Sequence, residues 1–444
     1  MTGSPLIKTV AIIGAGAAGA AAAAAFDAEE YFEIIRVFER REIAGGTWSI
    51  PGNLPAITKP STQERYEKTP IHEKLTTNVP AIAMALAGIP FPYGPFVPHH
   101  VPKRYIENYF SVHRTDRYLV LGTTVEDVSP VTGSGDKWVL TLRQHDPVDH
   151  VDCWWTEEFD AVVFANGHYS VPYVPPVKGL DEYIKTYPGR IIHSKSYRSG
   201  EQFRDKRVLV IGNSTSGHDV TVGVVETARP PVYQSRRSPS RWDGDEPPPG
   251  IEWKPIVKEY LPTTGEIIFD DGSVLRDIDI VVYCTGYKTS FPFCNTKANG
   301  APIFDYAQDR LVGDYLHVFL TFDYQAIALA RVFAGRNARP LPSREVQKRW
   351  EAARWELVSS QHRKFHDIQW DNGETLDYFR ELYDLAGLPR IEGQGRVPPV
   401  LDKETRWAIE HVRKYADPEH AADHDQCSCE IVERGYCRDS LHFI

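Results

Sequence analysis

Residues 9–38 read TVAIIGAGAAGAAAAAAFDAEEYFEIIRVF, and the fold turns on how this stretch is parsed. An apolar run from Thr9 to Ile13 predicts a strand, the alanine-rich segment from about Ala17 to Glu29 a helix, and Glu33 to Phe38 a second strand. Between strand and helix, Gly14, Gly16 and Gly19 form GxGxxG in the context that makes this motif informative. The first glycine allows the tight turn, the second lets a pyrophosphate approach the backbone, and the third lets helix and strand pack closely. The helix N-terminus then attracts the phosphate charge. Glu39 lies 25 residues after Gly14, at the end of the second strand, where a carboxylate accepts hydrogen bonds from a ribose diol and repels a 2′-phosphate. This unit favours FAD or NAD over NADP.

The apolar run Val10 to Phe26 could pass for a signal-peptide core or a short membrane span. Its spaced glycines and the acids that follow (Asp27, Glu29, Glu30) argue against both, and a soluble protein is expected.

Residues 207–234 repeat the same grammar: strand Val208 to Ile211, a glycine turn, a helix over about Gly217 to Glu226, and strand Pro231 to Gln234. The turn reads Gly212-Asn213-Ser214-Thr215-Ser216-Gly217, with serine at the middle glycine position. Ser235-Arg236-Arg237 stands where the first unit has its Glu, and a guanidinium there binds a 2′-phosphate through paired hydrogen bonds. The second site therefore reads as NADPH. The expected fold class is α/β with two dinucleotide-binding, Rossmann-like domains, and the chemistry is electron transfer between nicotinamide and flavin.

The rest of the chain is consistent with this. Its 444 residues exceed one domain, and 42% hydrophobic with 25% charged residues excludes a disordered, collagenous or coiled-coil protein. Fifty Lys and Arg against 60 Asp and Glu, with no long basic block, argue against a nucleic-acid partner. Six cysteines without a CxxC pair predict reduced thiols and a cytoplasmic location. Cys427, Cys429 and Cys437, near His424 and His442, leave open a metal site or a frayed tail. Further strands are expected at Arg117 to Val120, Trp138 to Leu142, Ala161 to Phe164 and 278–287. Helices are expected at Ser343 to His362, Glu374 to Leu385 and Lys403 to Tyr415. The Pro-rich, aromatic stretch Pro51 to Pro102 shows no periodicity. A homodimer is the default assembly.

Several spaced motifs resemble the flavin-containing monooxygenase family, over roughly residues 8 to 350. GAGAAG (14–19), FER (38–40) and GGTW (45–48) look like its FAD-binding opening. YPGRIIHSKSYR (187–198) resembles its fingerprint FxGxxxHxxx(Y/F) through Tyr187, Gly189, His193 and Tyr197, and stands just before GNSTSGHD (212–219). CTGY (284–287) with FPF (291–293), and LTTNVP (75–80) with Pro90-Phe91-Pro92, are similar to further family segments.

The resemblance implies an NADPH domain, residues 172–284, inserted into an FAD domain made of 1–171 and 285–444. It implies a reaction in which NADPH reduces FAD and O2 adds to give a C4a-hydroperoxyflavin. A soft nucleophilic N or S of a small-molecule substrate then takes the distal oxygen. By the same resemblance Gly46, Thr47 and Trp48 line the FAD pyrophosphate, Thr77 the flavin ring and Val125 the adenine side. Tyr173, Gly212, Ser214, Thr215, Ser216 and Arg236 hold NADP, His193 braces the domain junction, and Asn78 positions flavin and nicotinamide.

Tyr197-Arg198 favours N- or S-oxygenation over Baeyer-Villiger chemistry, whose enzymes usually carry Trp followed by Pro or Asp there. A Baeyer-Villiger enzyme, an amino-acid N-hydroxylase and a non-catalytic dinucleotide sensor remain as alternatives. One departure stands out: where the family has a segment like LAFIG, this chain reads LARVFAGRNARPLP (329–342), so flavin-side contacts are expected to differ there.

Overall fold

The computed structural model describes residues 7–48, 68–91, 94–131, 137–146, 148–240, 243–294, 304–305, 310–311, 322–361, 363, 365, 368, 373–390, 393–399, 402–412 and 414. The tail cysteines and histidines, part of Pro51 to Pro102, and His362 and Tyr415 lie outside the described residues.

The chain opens with β1 (Thr9–Ile13), α1 (Ala17–Ala28) and β2 (Ile34–Phe38). It continues through α2 (Ala81–Met84), α3 (His100–Val112) and β3 (Leu119–Val120). An antiparallel β4 (Thr123–Pro130), β5 (Trp138–Asp146) and β6 (Val151–Phe159) lead back to β7 (Ala161–Phe164). β3, β2, β1 and β7 form one parallel sheet in that order. Every residue of α1 from Gly19 to Phe26 is buried, which explains its alanines. A helix covered on all sides needs an apolar surface all round and small side chains for close approach.

A short β8 (Val171–Pro172) leaves this sheet for α4 (Leu180–Thr186), β9 (Ile191–His193), β10 (Val208–Ile211), α5 (Thr215–Val225), β11 (Val232–Ser235) and β12 (Ile251–Lys254). A small antiparallel sheet of β13 (Val257–Leu261), β14 (Glu266–Phe269) and β15 (Val274–Leu275) precedes β16 (Ile280–Tyr283). The second parallel sheet runs β12-β11-β10-β16-β9. The chain returns in β17 (Tyr287–Lys288), which pairs antiparallel with β8, so exit and return lie side by side. After the short pair β18 (Phe304–Asp305) and β19 (Arg310–Leu311), α6 (Phe322–Phe333) packs on α1 of the first unit. α7 (Arg344–Ser360), α8 (Glu374–Ala386) and α9 (Lys403–His411) follow. The protein thus has an α/β fold with two Rossmann-type units, the second inserted between parts of the first.

Four expected elements differ, among them the helix expected over Lys403 to Tyr415, which ends at His411 because Val412 is extended. The strand expected over 278–287 breaks after Tyr283, because Gly286 takes a positive φ of 82° and its carbonyl turns to meet Tyr173 N–H and the His193 ring. The second helix begins at Thr215 rather than Gly217, and residues 116–118 form a single 3-10 turn ahead of β3.

Candidate functional site: two equivalent glycine turns

The two turns share a backbone hydrogen bond and the same steric demands. Gly14 N–H donates to Phe38 O at 2.8 Å, and Gly212 N–H donates to Ser235 O at 2.9 Å. Both glycines hold φ above +100°, and a Cβ on either would strike a backbone carbonyl, Ala165 O at 2.5 Å or Cys284 O at 2.6 Å. One helical turn on, a Cβ on Gly19 would lie 1.9 Å from Gly14 O, and one on Gly217 2.2 Å from Gly212 O. The middle position accepts glycine or serine because its backbone is ordinary: Gly16 has φ −83° and ψ −166°, Ser214 φ −80° and ψ −173°.

Glu39 and Arg236 therefore occupy the same place, each immediately after the residue whose carbonyl receives the first glycine. They carry opposite charge there. The Glu39 carboxylate is buried and fixed, Oε2 accepting from Ala15 N–H at 2.9 Å and Oε1 from Arg41 N–H at 3.0 Å. A carboxylate has about four acceptor sites, so both oxygens retain capacity for ribose hydroxyls. The Arg236 guanidinium lies over the Trp253 ring, 3.3 Å from its centroid, with Nη1 donating to Asp243 at 2.8 Å.

The structure brings the residues nominated for FAD pyrophosphate against the first turn. Gly46 faces Gly16, where a Cβ on Gly46 would lie 2.9 Å from Gly16 Cα. Gly45 N–H donates to Ala15 O at 2.9 Å, and Arg41 Nη1 reaches Gly46 O at 2.7 Å. Thr47 and Trp48 continue this single 3-10 turn. Neither α1 nor α5 has a side-chain cap or an acid in its first turn, although Ser214 stands at the N-cap of α5. Uncapped N–H groups at a helix start are a ready anion site. Two glycine cradles with uncapped helices fit adenine dinucleotides.

Val125 is buried in β4, two residues after Thr123, whose N–H donates to Glu39 O at 2.8 Å. Tyr173 N–H donates to Gly286 O at 2.9 Å beside the return crossing. His193 is fixed by its neighbours: Lys195 N–H donates to Nδ1 at 3.1 Å, so Nε2 carries the proton and donates to Gly286 O at 3.0 Å. Burial lowers its pKa below the usual histidine value, consistent with a neutral brace between β9 and the chain's return.

Thr77 is buried, its N–H donating to Val97 O at 2.9 Å and its Oγ1 accepting Val97 N–H at 3.1 Å. Asn78 beside it is exposed, and its side chain makes no hydrogen bond among the described residues. The segment before it is tied to the second unit. Glu73 N–H donates to Arg198 O, Arg198 Nη2 to Thr69 O at 3.1 Å, and Lys414 Nζ to Asp219 on α5 at 3.1 Å and to Thr76 O at 3.4 Å. Tyr197, which closes the fingerprint, is a packing residue: it is buried edge-on against His72, and its hydroxyl fills the space over Gly223.

Two arginines of the altered segment, Arg331 and Arg336, meet the C-terminal end of α1 and not the turn. Arg331, 1% exposed, pairs with Glu29 at 2.6 Å and donates to Gly387 O and Arg396 O; Arg336 also reaches Glu29, at 3.2 Å. Glu29 caps the far end of α1, about 18 Å from the glycines for a 12-residue helix. The extra arginines thus anchor the C-terminal helices to α1. Burial pushes the Cys284 thiol, packed beside the second turn, up to about 12, leaving it unreactive at neutral pH. No helix among the described residues is long and apolar enough to cross a membrane.

Asp243 and Trp253, the partners of Arg236, had no signal in the sequence, since neither lies in a motif. Their only hint is an acid seven residues and an aromatic 17 residues downstream.

Comparison with known proteins extends these parallels. The chain is 32% identical over 358 residues to the flavin-containing monooxygenase FMO GS-OX5 of Arabidopsis thaliana, covering 78% of this chain and 73% of that one. The solved structure of S-allyl-L-cysteine S-oxygenase from Allium sativum matches with a TM-score of 0.73 and 25% identity, over 95% of this chain and 98% of that one. The fold is also that of a cyclohexanone monooxygenase bound to ε-caprolactone, with a TM-score of 0.57 and 13% identity over 85% and 98% of the two chains. With the family's sequence profile matching residues 7–242 and 250–380, both glycine turns included, the chain belongs to the flavin-binding monooxygenase-like family.

Proposed function

We propose that this chain uses FAD and NADPH to place one oxygen atom of O2 on a soft nucleophilic nitrogen or sulfur of a small molecule. The observation that carries the reading is the equivalence of Glu39 and Arg236, one turn built for a free ribose diol and the other offering a cation to a 2′-phosphate. In this reading residues 1–171 and 285–444 hold FAD and 172–284 hold NADPH. When bound, the flavin would accept a hydride from NADPH and, with O2, would provide the electrophilic oxygen for the substrate.

The protein's part is to bind, orient and keep water out. Gly14, Gly16, Gly19, Gly46, Thr47 and Trp48 cradle the FAD pyrophosphate, Glu39 its ribose, Val125 the adenine side and Thr77 the ring. Gly212, Ser214, Thr215, Ser216, Tyr173 and Arg236 hold NADPH. Asn78, with an uncommitted amide on a segment fastened to both units, positions the nicotinamide and flavin. The S-oxygenase likeness supports sulfur as the oxygenated atom.

Asn78→Ala tests the last assignment. It is expected to retain flavin and reduction by NADPH while product formed per NADPH falls about 100-fold and hydrogen peroxide rises to match, the scale of losing one preorganised donor. Equal coupling in variant and wild type, measured by paired product and peroxide assays, removes Asn78 from the site.

A further inference from the structure

We propose that Asp243 sets the coenzyme preference of the second unit: its carboxylate occupies donors that a ribose 2′-phosphate needs, so that NADPH binds against it and NADH is also accepted. This inference rests on the assignment of Arg236 to the 2′-phosphate and deepens it.

Asp243 Oδ2 gathers three donors. Arg236 Nη1 lies at 2.8 Å, Asn213 Nδ2 at 2.9 Å and Ser240 N–H at 2.8 Å. A guanidinium, an amide and a backbone N–H converging on one anionic oxygen are the partners a phosphate oxygen takes at a nucleotide site. The Asp243 side chain is 9% exposed, and Trp253 fixes the plane of the guanidinium from one face. Asn213 follows Gly212 as Ala15 follows Gly14, and Ala15 N–H donates to the Glu39 carboxylate. Each turn therefore has a carboxylate beside it. In the first unit it comes from the strand end; in the second the strand end carries Arg236, and the acid is supplied by a residue seven positions later.

The two charges have different preferences. A carboxylate accepts a ribose 2′-hydroxyl and repels a dianionic phosphate, while the guanidinium does the reverse. Beside Arg236 lies a cavity of about 250 Å³ lined by Arg237, Ser238, Trp253 and Lys254. Lys254 is paired with Glu252 at 2.6 Å and Arg236 with Asp243, so their charges are largely compensated. Arg237, exposed and without a partner among the described residues, supplies the remaining positive charge. A phosphate thus meets a weakly cationic pocket rather than three free cations.

Calorimetric titration of the FAD-loaded protein with NADP⁺, NAD⁺, 2′,5′-ADP and ADP tests this without turnover. Wild type is expected to bind NADP⁺ more tightly than NAD⁺ by less than about 100-fold. Asp243→Asn, which keeps the shape and removes the charge, should tighten NADP⁺ and 2′,5′-ADP about tenfold and leave NAD⁺ and ADP unchanged or weaker. Asp243→Ser, lacking the amide, should shift the same way. Arg236→Ala should weaken only the 2′-phosphorylated ligands. If both Asp243 variants weaken NADP⁺, Asp243 merely holds Arg236 in place and the proposal is overturned, as it is by a wild-type preference above about 1,000-fold. If Arg236→Ala binds all four ligands as wild type does, the assignment of Arg236 itself fails.

Discussion

Gly19→Ala should yield protein without flavin, whereas Gly217→Ala should keep the flavin and lose its reduction by NADPH. The expectation comes from two distances. A Cβ at position 19 would lie 1.9 Å from Gly14 O, and one at 217 would lie 2.2 Å from Gly212 O, in both cases a backbone oxygen that no side-chain rotation moves aside. The helix must shift off the strand, which opens the pyrophosphate cradle and costs on the order of 3 kcal/mol. Flavin affinity of Gly19→Ala should fall by at least 100-fold, read from the visible spectrum after gel filtration with excess FAD. For Gly217→Ala the flavin spectrum should be intact under anaerobic conditions and bleach at least 100-fold more slowly with NADPH. Circular dichroism on both variants separates loss of a site from loss of the fold. A Gly19→Ala protein that holds flavin normally would contradict the assignment of the first turn.

Arg331→Met is the second large effect, and it falls on stability. Arg331 and Glu29 are each 1% exposed and 2.6 Å apart, with Arg336 the remaining cation near Glu29 at 3.2 Å. Removing one member of a buried ion pair leaves an uncompensated charge and costs about 3–5 kcal/mol, whereas replacing both with apolar side chains is often neutral. Arg331→Met should therefore lower the midpoint of thermal unfolding by about 10 °C, and Glu29→Met with Arg331→Met should recover most of it. FAD affinity of the folded variant should change less than threefold, because the pair sits at the end of α1 opposite the glycines. Loss of flavin at unchanged stability would instead return the altered segment to the flavin side, where the sequence had suggested it.

The two βαβ units were legible because three independent signals coincide in each: apolar strands, glycines at sterically forced positions, and a charged residue at the second strand's end. Other elements were hidden for specific reasons. α3 buries Val101, Pro102, Tyr105, Ile106, Tyr109 and Phe110 on one face, yet Pro102 makes the segment look irregular. Proline is tolerated in a first turn, and here it is the third residue of the helix, which starts at His100. α6 was obscured by Arg331, a charge at a fully buried position whose partner lies 302 residues away. β6 alternates weakly because it is the edge strand beside β5 and exposes Trp154 and Val151.

The candidate site divides in the same way. Positions fixed by backbone sterics, Gly14, Gly19, Gly212 and Gly217, could be read directly. Arg236 could be nominated, but its pairing with Asp243 and stacking on Trp253 depend on loop geometry that no spacing rule encodes. Asn78 was nominated by resemblance alone. Its environment is defined by ties from Arg198, Val97 and Lys414, three distant parts of the chain.

The central claim is best tested by a single-turnover balance. FAD-loaded protein is reduced with one equivalent of NADPH without oxygen, then mixed with O2 and a thioether or tertiary amine, and sulfoxide or N-oxide and hydrogen peroxide are quantified together. Close to one equivalent of oxygenated product per NADPH and little peroxide are expected. Flavin that is not reduced, or that is reduced and returns all its electrons as peroxide with every thioether and amine while a cyclic ketone gives lactone, would contradict the claim.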